Sequence, residues 1–106
     1  MEIGYDRLEL REYCENLERA DSFMGRASAE LFRDRLADLA AAPTIKDLVI
    51  VGLIETRGDI FVSAVGANWE LVFRANNNPP PTSNGVLDWN RVSRICILDI
   101  RRIDVI

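Results

Sequence analysis

Near Leu48 the chain changes its apolar rhythm, and that change constrains the fold more than any motif. Before it, Leu10, Tyr13, Leu17, Ala20 and Met24 recur at intervals of three and four. Ala29, Phe32, Leu36 and Leu39 then repeat the spacing. Side chains so spaced lie on one stripe of an α-helix. After Leu48, the runs Ile60–Val65 and Trp69–Arg74 are bounded by Arg57-Gly58-Asp59 and Gly66-Ala67-Asn68, and Ile95–Ile100 is apolar almost throughout. Short runs between glycine and asparagine are strands joined by turns, the last one buried on both faces. Helices in one half and strands in the other define an α+β domain. The expected architecture is an N-terminal antiparallel helical hairpin packed on a mostly antiparallel sheet of four to five strands.

Local signals set the expected boundaries. Ile3-Gly4-Tyr5 reads as a short first strand and Asp6 as the N-cap of the first helix. Gly25 ends that helix and Pro43 ends the second. Glu15 and Arg19 are four apart in the orientation that favours an exposed ion pair. Thr44 and Asp47 have the spacing of a cap over a single turn, with Leu48–Ile54 partly extended beyond it. Gly58 supplies a positive φ in a hairpin turn. Asn76-Asn77-Asn78-Pro79-Pro80-Pro81 opens a long loop, because proline cannot continue a ladder. Leu87–Arg91 is expected to pack as a turn. Residues 1–106 read as one domain without internal repeats.

Composition narrows the class of protein. A chain of 106 residues, 48% hydrophobic and 28% charged, is large enough for its own core and too apolar for disorder. The longest apolar run, Leu48–Ile54, is far short of a bilayer span. The first residues lack the basic stretch of a secretory signal, so the expected location is cytoplasmic with no membrane partner. Cys14 and Cys96 sit in apolar patterns and read as reduced core residues. Net charge is −4, which disfavours nonspecific nucleic-acid binding unless bases gather locally. Such a patch would have to come from Arg57, Arg74, Arg91, Arg94, Arg101 and Arg102.

Histidine is absent and Lys46 is the single lysine. A Ser–His or Cys–His nucleophile pair is therefore excluded, and no spacing of cysteines or acids suits a metal. No cofactor is expected, since no glycine-rich phosphate loop precedes a helix. Carboxylates and arginines are what remain. Attack of a 2′-hydroxyl on RNA needs a base, a positive group for the phosphorane and an acid for the leaving oxygen. Glu70 is the candidate base and Arg74 the candidate phosphate anchor, on one face of a strand. The plainer reading of Glu70 is a cross-strand ion pair on an exposed face.

Three stretches together resemble the RelE/ParE superfamily of type II toxins, within it the HigB-like plasmid maintenance killer branch. They are Leu36-Ala37-Asp38-Leu39-Ala40-Ala41-Ala42-Pro43-Thr44-Ile45-Lys46-Asp47-Leu48, then Arg57–Val65 leading to Trp69-Glu70-Leu71-Val72-Phe73, and last Val86-Leu87-Asp88-Trp89-Asn90-Arg91-Val92. The likeness is collinear from about Ile3 to about Ile100. It implies a β-α-α-β-β-β core, a cognate antitoxin as partner, and in the RNA-cleaving members action on mRNA at the ribosome. It also implies a site on the sheet, which assigns catalysis to Arg57, Glu70 and Arg74 and RNA binding to Arg57, Arg74, Arg91 and Arg94.

The sequence departs from that pattern in chemistry. Glu70 stands after Trp69 where the family has an arginine. Leu53-Ile54-Glu55-Thr56 replaces a stretch with a His or Lys pair, and Arg102-Ile103-Asp104 replaces a C-terminal Asp-Tyr-His. Two functions from different classes follow. One is a toxin of a type II toxin–antitoxin system, an mRNA endonuclease with a weakened basic site or a growth inhibitor of the gyrase-poison kind. The other is a catalytically inactive toxin-fold module that docks an antitoxin or self-associates as a homodimer through its sheet edge, with Trp69 and Trp89 as anchors.

Overall fold

The computed structural model describes residues 1–103. Strand β1 (Glu2–Tyr5) leads to helices α1 (Leu8–Glu15), α2 (Leu17–Met24), α3 (Arg26–Ala41) and α4 (Ile45–Ile50). Strands β2 (Glu55–Arg57), β3 (Ile60–Val65) and β4 (Trp69–Ala75) follow. A short hairpin of β5 (Thr82–Ser83) and β6 (Val86–Leu87), a 3-10 turn at Trp89–Arg91 and strand β7 (Arg94–Arg102) complete the described chain. The main sheet runs β1-β7-β4-β3-β2, antiparallel except where β1 lies parallel to β7. The fold is therefore α+β with four helices and a mostly antiparallel sheet of five strands.

The first helix is expected to be unbroken and is not. Asn16 sits at φ −118° and ψ 112° between α1 and α2 and serves both. Its backbone N–H closes α1 on the Glu12 carbonyl, and its side chain accepts from the Arg19 N–H at the start of α2. Asparagine competes with a continuing helix by bonding nearby backbone in this way. The break also overturns the Glu15–Arg19 pair: Arg11 holds Glu15 at 3.1 Å, and Arg19 reaches back across the break to Glu12 at 2.8 Å. Asp6 is not the N-cap either. Its N–H still extends the β1–β7 ladder to the Ile97 carbonyl, so extended chain continues to Arg7, which takes the cap position without a side-chain bond.

Leu48–Ile54 is not extended as expected: Leu48–Ile50 completes α4, and the chain then leaves it through a Schellman turn, with Leu53 N–H donating to the Leu48 carbonyl and Gly52 N–H to that of Val49. Gly52 has φ 79°, the left-handed conformation that motif requires. Thr44 occupies the cap position of α4, although its side chain makes no capping bond.

The helices seal one face of the sheet. Leu10, Ala20, Phe32, Leu39 and Ile45 share a core with Phe61, Val65, Leu71, Phe73, Ile95 and Ile97. Phe61 and Phe73, paired across β3 and β4, stack with ring centroids 5.6 Å apart. Strand β7 keeps Ile95, Ile97 and Ile100 all buried because Leu98 is an extra residue, Val72 facing Asp99 while Phe73 faces Ile97. Such a bulge reverses the side-chain alternation beyond it, and here it turns Arg101 to the face away from the helices.

Candidate site on the outer face of the sheet

Glu70, on β4, lies on the sheet face opposite the helices. It is flanked by Arg101 of β7, its cross-strand partner, and reached by Arg57 from the edge strand β2. Arg101 donates to one carboxylate oxygen at 2.6 Å, and Arg57 approaches the other at 3.7 Å. Arg57 also bonds Glu55 at 3.3 Å. The Glu70 side chain is only 14% exposed, so its charge is partly desolvated and depends on these guanidinium partners. Beneath this chain of charges Val62 and Val72 pair across the strands, each 4% exposed. The aliphatic stems of long side chains cover apolar surface while their heads stay wet. Arg57, Glu55 and Glu70 also line a cleft of about 280 Å³ together with Arg35, Leu53 and Ala64.

The remaining arginines proposed from sequence do not join this group. Arg74 bonds the Ala75 carbonyl at 3.1 Å and Asn76 Oδ1 at 3.2 Å, and it lines a different hollow. Arg91 is held by Asp88 at 3.0 Å and by the Thr82 carbonyl at 2.6 Å. Arg94 pairs with Glu2 at 2.9 Å. Thus Arg57 and Glu70 come together, with Arg101 as the third member, while Arg74, Arg91 and Arg94 each stand elsewhere. The arrangement sets one carboxylate between two guanidiniums, and Arg57 keeps Glu55 as a second partner at 3.3 Å.

Arg35 is the half-buried member that sequence reading misses. From α3 its Nη1 donates to the carbonyls of Leu53 and Ala64, each at 3.1 Å, and to Ser63 Oγ. Ser63 is fully buried and in turn donates to Leu53. An arginine inside a run of polar helix residues gives no hint of this. The serine in the apolar strand Ile60–Val65 is the available signal, since a buried hydroxyl needs a partner. Arg101 was also legible in principle. Isoleucines at 95, 97 and 100 fit a single face only if one residue bulges out between them.

Both cysteines are free. Burial pushes the Cys14 thiol up to about 12, against a smaller downward pull from its bond with Tyr5. Burial also raises the Cys96 thiol, with the Arg74 charge opposing. Neither is a ready thiolate nucleophile. Among the described residues no three or more acidic or cysteine side chains gather as metal ligands, and no helix is long and apolar enough to cross a membrane. No family model matches the chain, and comparison with curated proteins and with solved structures finds no match.

Proposed function

We propose that the protein is a growth-inhibiting toxin of the RelE/ParE type, HigB-like, held in check in the cytoplasm by a cognate antitoxin. The observation that carries the reading is the sheet: a first strand running parallel to the last, a β2-β3-β4 meander beside it, and one face left to Arg57, Glu70 and Arg101. The resemblance implies a β-α-α-β-β-β core with its site on the sheet, and this arrangement supports that reading. The target is mRNA at the ribosome, met by this face. Arg57 and Arg101 orient phosphate once Glu70 releases them, and proton transfer by Glu70 is the slow, weakened part of the chemistry.

The test is induction of the isolated chain in a bacterial host. Growth arrest with mRNA cut at codon boundaries is the expected outcome, and Arg57→Ala together with Arg101→Ala abolishes it without lowering the melting temperature. A second reading is favoured by the double ion pair on Glu70, which engages the one candidate base. On that reading the chain binds its antitoxin or a second copy without cutting RNA. Unchanged growth and intact mRNA after induction sink the toxin and leave the binding module.

A further inference from the structure

Among the described residues every arginine but two is ion-paired: Arg74 and Arg102 make no salt bridge, nor does Lys46. Two of these three bases stand beside one exposed aromatic ring. Arg74 lines a hollow of about 550 Å³ with Phe61, Pro80, Leu87 and Trp89. Lys46 lines a second hollow, of about 280 Å³, on which Val86, Leu87 and Trp89 also border. Trp89 is thus shared by both, and it is 36% exposed.

The ring is held rather than loose. Asp88 accepts from the Asn90 N–H at 3.0 Å and pairs with Arg91, whose guanidinium also binds the Thr82 carbonyl, tying the 3-10 turn to the β5–β6 hairpin. The β5–β6 turn itself, Asn84-Gly85, has both residues at positive φ, the tight geometry that fixes a two-residue hairpin. Arg74 is positioned through one nitrogen, Nη1, so the other donors of its fork point free among the described residues. Two acids border the hollows: Asp88, neutralised by Arg91, in the smaller, and Asp59, without an ion pair of its own among the described residues, in the larger. A bare phosphate would meet repulsion from Asp59. A ligand carrying N–H donors as well as phosphate would use Asp59 as an acceptor.

An aromatic platform with unpaired cations on both sides and a carboxylate at the rim fits a base between two phosphates. We propose that the hollows flanking Trp89 bind single-stranded nucleic acid, one base stacking on the indole while Arg74 and Lys46 meet successive phosphates. This site is distinct from the Arg57–Glu70–Arg101 group and does not rest on the toxin reading, because it is measured with purified protein and no ribosome.

The experiment is titration of the full chain with a fluorescein-labelled single-stranded hexanucleotide, as RNA and as DNA, and with the corresponding duplex. Anisotropy reads affinity, and the Trp89 indole N–H resonance reads location. Single strands of either sugar are expected to bind, their ratio telling which the site prefers, and the duplex to bind at least about tenfold more weakly because its bases are not free to stack. Trp89→Ala should weaken binding about 5- to 100-fold, with Trp89→Phe in between and serving as the variant that keeps the turn packed. Two phosphate contacts predict a slope of log affinity on log salt near about −1.4, and Lys46→Ala or Arg74→Ala each removes about half of it. No binding, equal binding of the duplex, or a Trp89→Phe variant with unchanged affinity and an unmoved salt slope in both cation variants overturns the site.

Discussion

The two faces of the central sheet come from the same strands and follow different rules. On the helix side Phe61, Leu71, Phe73, Ile95 and Ile97 meet a continuous apolar core. On the other side Val62, Val72 and Cys96 are as well hidden, yet none belongs to that core. On this side Arg57 stretches across the sheet to Glu70, and both border a cleft with Val62. Shape complementarity fixes the first face; electrostatics and flexible stems fix the second. A face covered by charged side chains can exchange that cover for a ligand, whereas a face covered by helices cannot without unfolding.

The sharpest way to break this comparison is to remove one side chain from each face. Phe73→Ala empties a fully buried, stacked position and should cost about 3–5 kcal/mol in urea unfolding. Val72→Ala, its neighbour on the other face, should cost about 1–2 kcal/mol, since the arginine stems above can settle into the space. Equal costs would mean that the outer face is packed as rigidly as the inner one. Next in size is Arg35→Ala, at about 2 kcal/mol, because the Ala64 carbonyl and a lone pair of buried Ser63 lose their donor. Pairing it with Ser63→Ala sharpens the point: in a double-mutant cycle the two losses should overlap rather than add.

The inner face was largely readable and the outer one was not, for a physical reason. Apolar period and flanking turns mark Ile60–Val65 and Trp69–Arg74 as strands, the second observed to run to Ala75, and period marks Phe32 and Leu39 as buried helix positions. Those residues answer to a single solvent-exclusion rule. The helix break at Asn16 is hidden because the apolar stripe passes unbroken through a residue whose side chain prefers to cap. The Asn84-Gly85 turn, a strong short-range hairpin signal, was overlooked behind the run of prolines. Which arginine meets which acid was out of reach. Glu70 finds Arg101 only through the register of β4 against β7 and the bulge at Leu98. Register is a long-range property: the isoleucine spacing at 95, 97 and 100 hints at the bulge, but no local run says which residue of another strand Arg101 will face.

Glu70→Gln probes the outer face with a smaller effect. The amide keeps the shape and still accepts from Arg101, so the expected loss is about 1 kcal/mol. The more telling readout is salt. Unfolding free energy of the native chain should fall between low and moderate ionic strength by more than that of the variant, since screening acts on the pairs of Arg57 and Arg101 with the carboxylate. A variant with an unchanged salt dependence would show that these pairs contribute geometry without energy. The variant also removes the negative charge between Arg57 and Arg101, and that should raise affinity for phosphate-bearing ligands on this face rather than lower it.

Cys14 gives the smallest effect and the one most specific to the helix side. Its thiol, raised by burial to about 12 from an ordinary 9.0, is stabilised in the neutral form by folding. Tyr5, beside it, is raised for the same leading reason. For such groups the folded state binds more protons than the unfolded state once pH exceeds the ordinary value. The Cys14 contribution to stability is therefore complete below pH 9.0 and is lost as pH climbs from there towards about 12. Alkylation by iodoacetamide, mapped by peptide mass, checks the same quantity by rate. In urea-unfolded chain the Cys14 rate should level off soon above pH 9.0, when the thiol is already ionised. In native protein it should start far lower at pH 8 and still be climbing at pH 10, because the thiolate remains a minor species there. Coincident native and unfolded profiles would mean that water reaches this thiol freely and that the helix side is looser around Tyr5 than its packing implies.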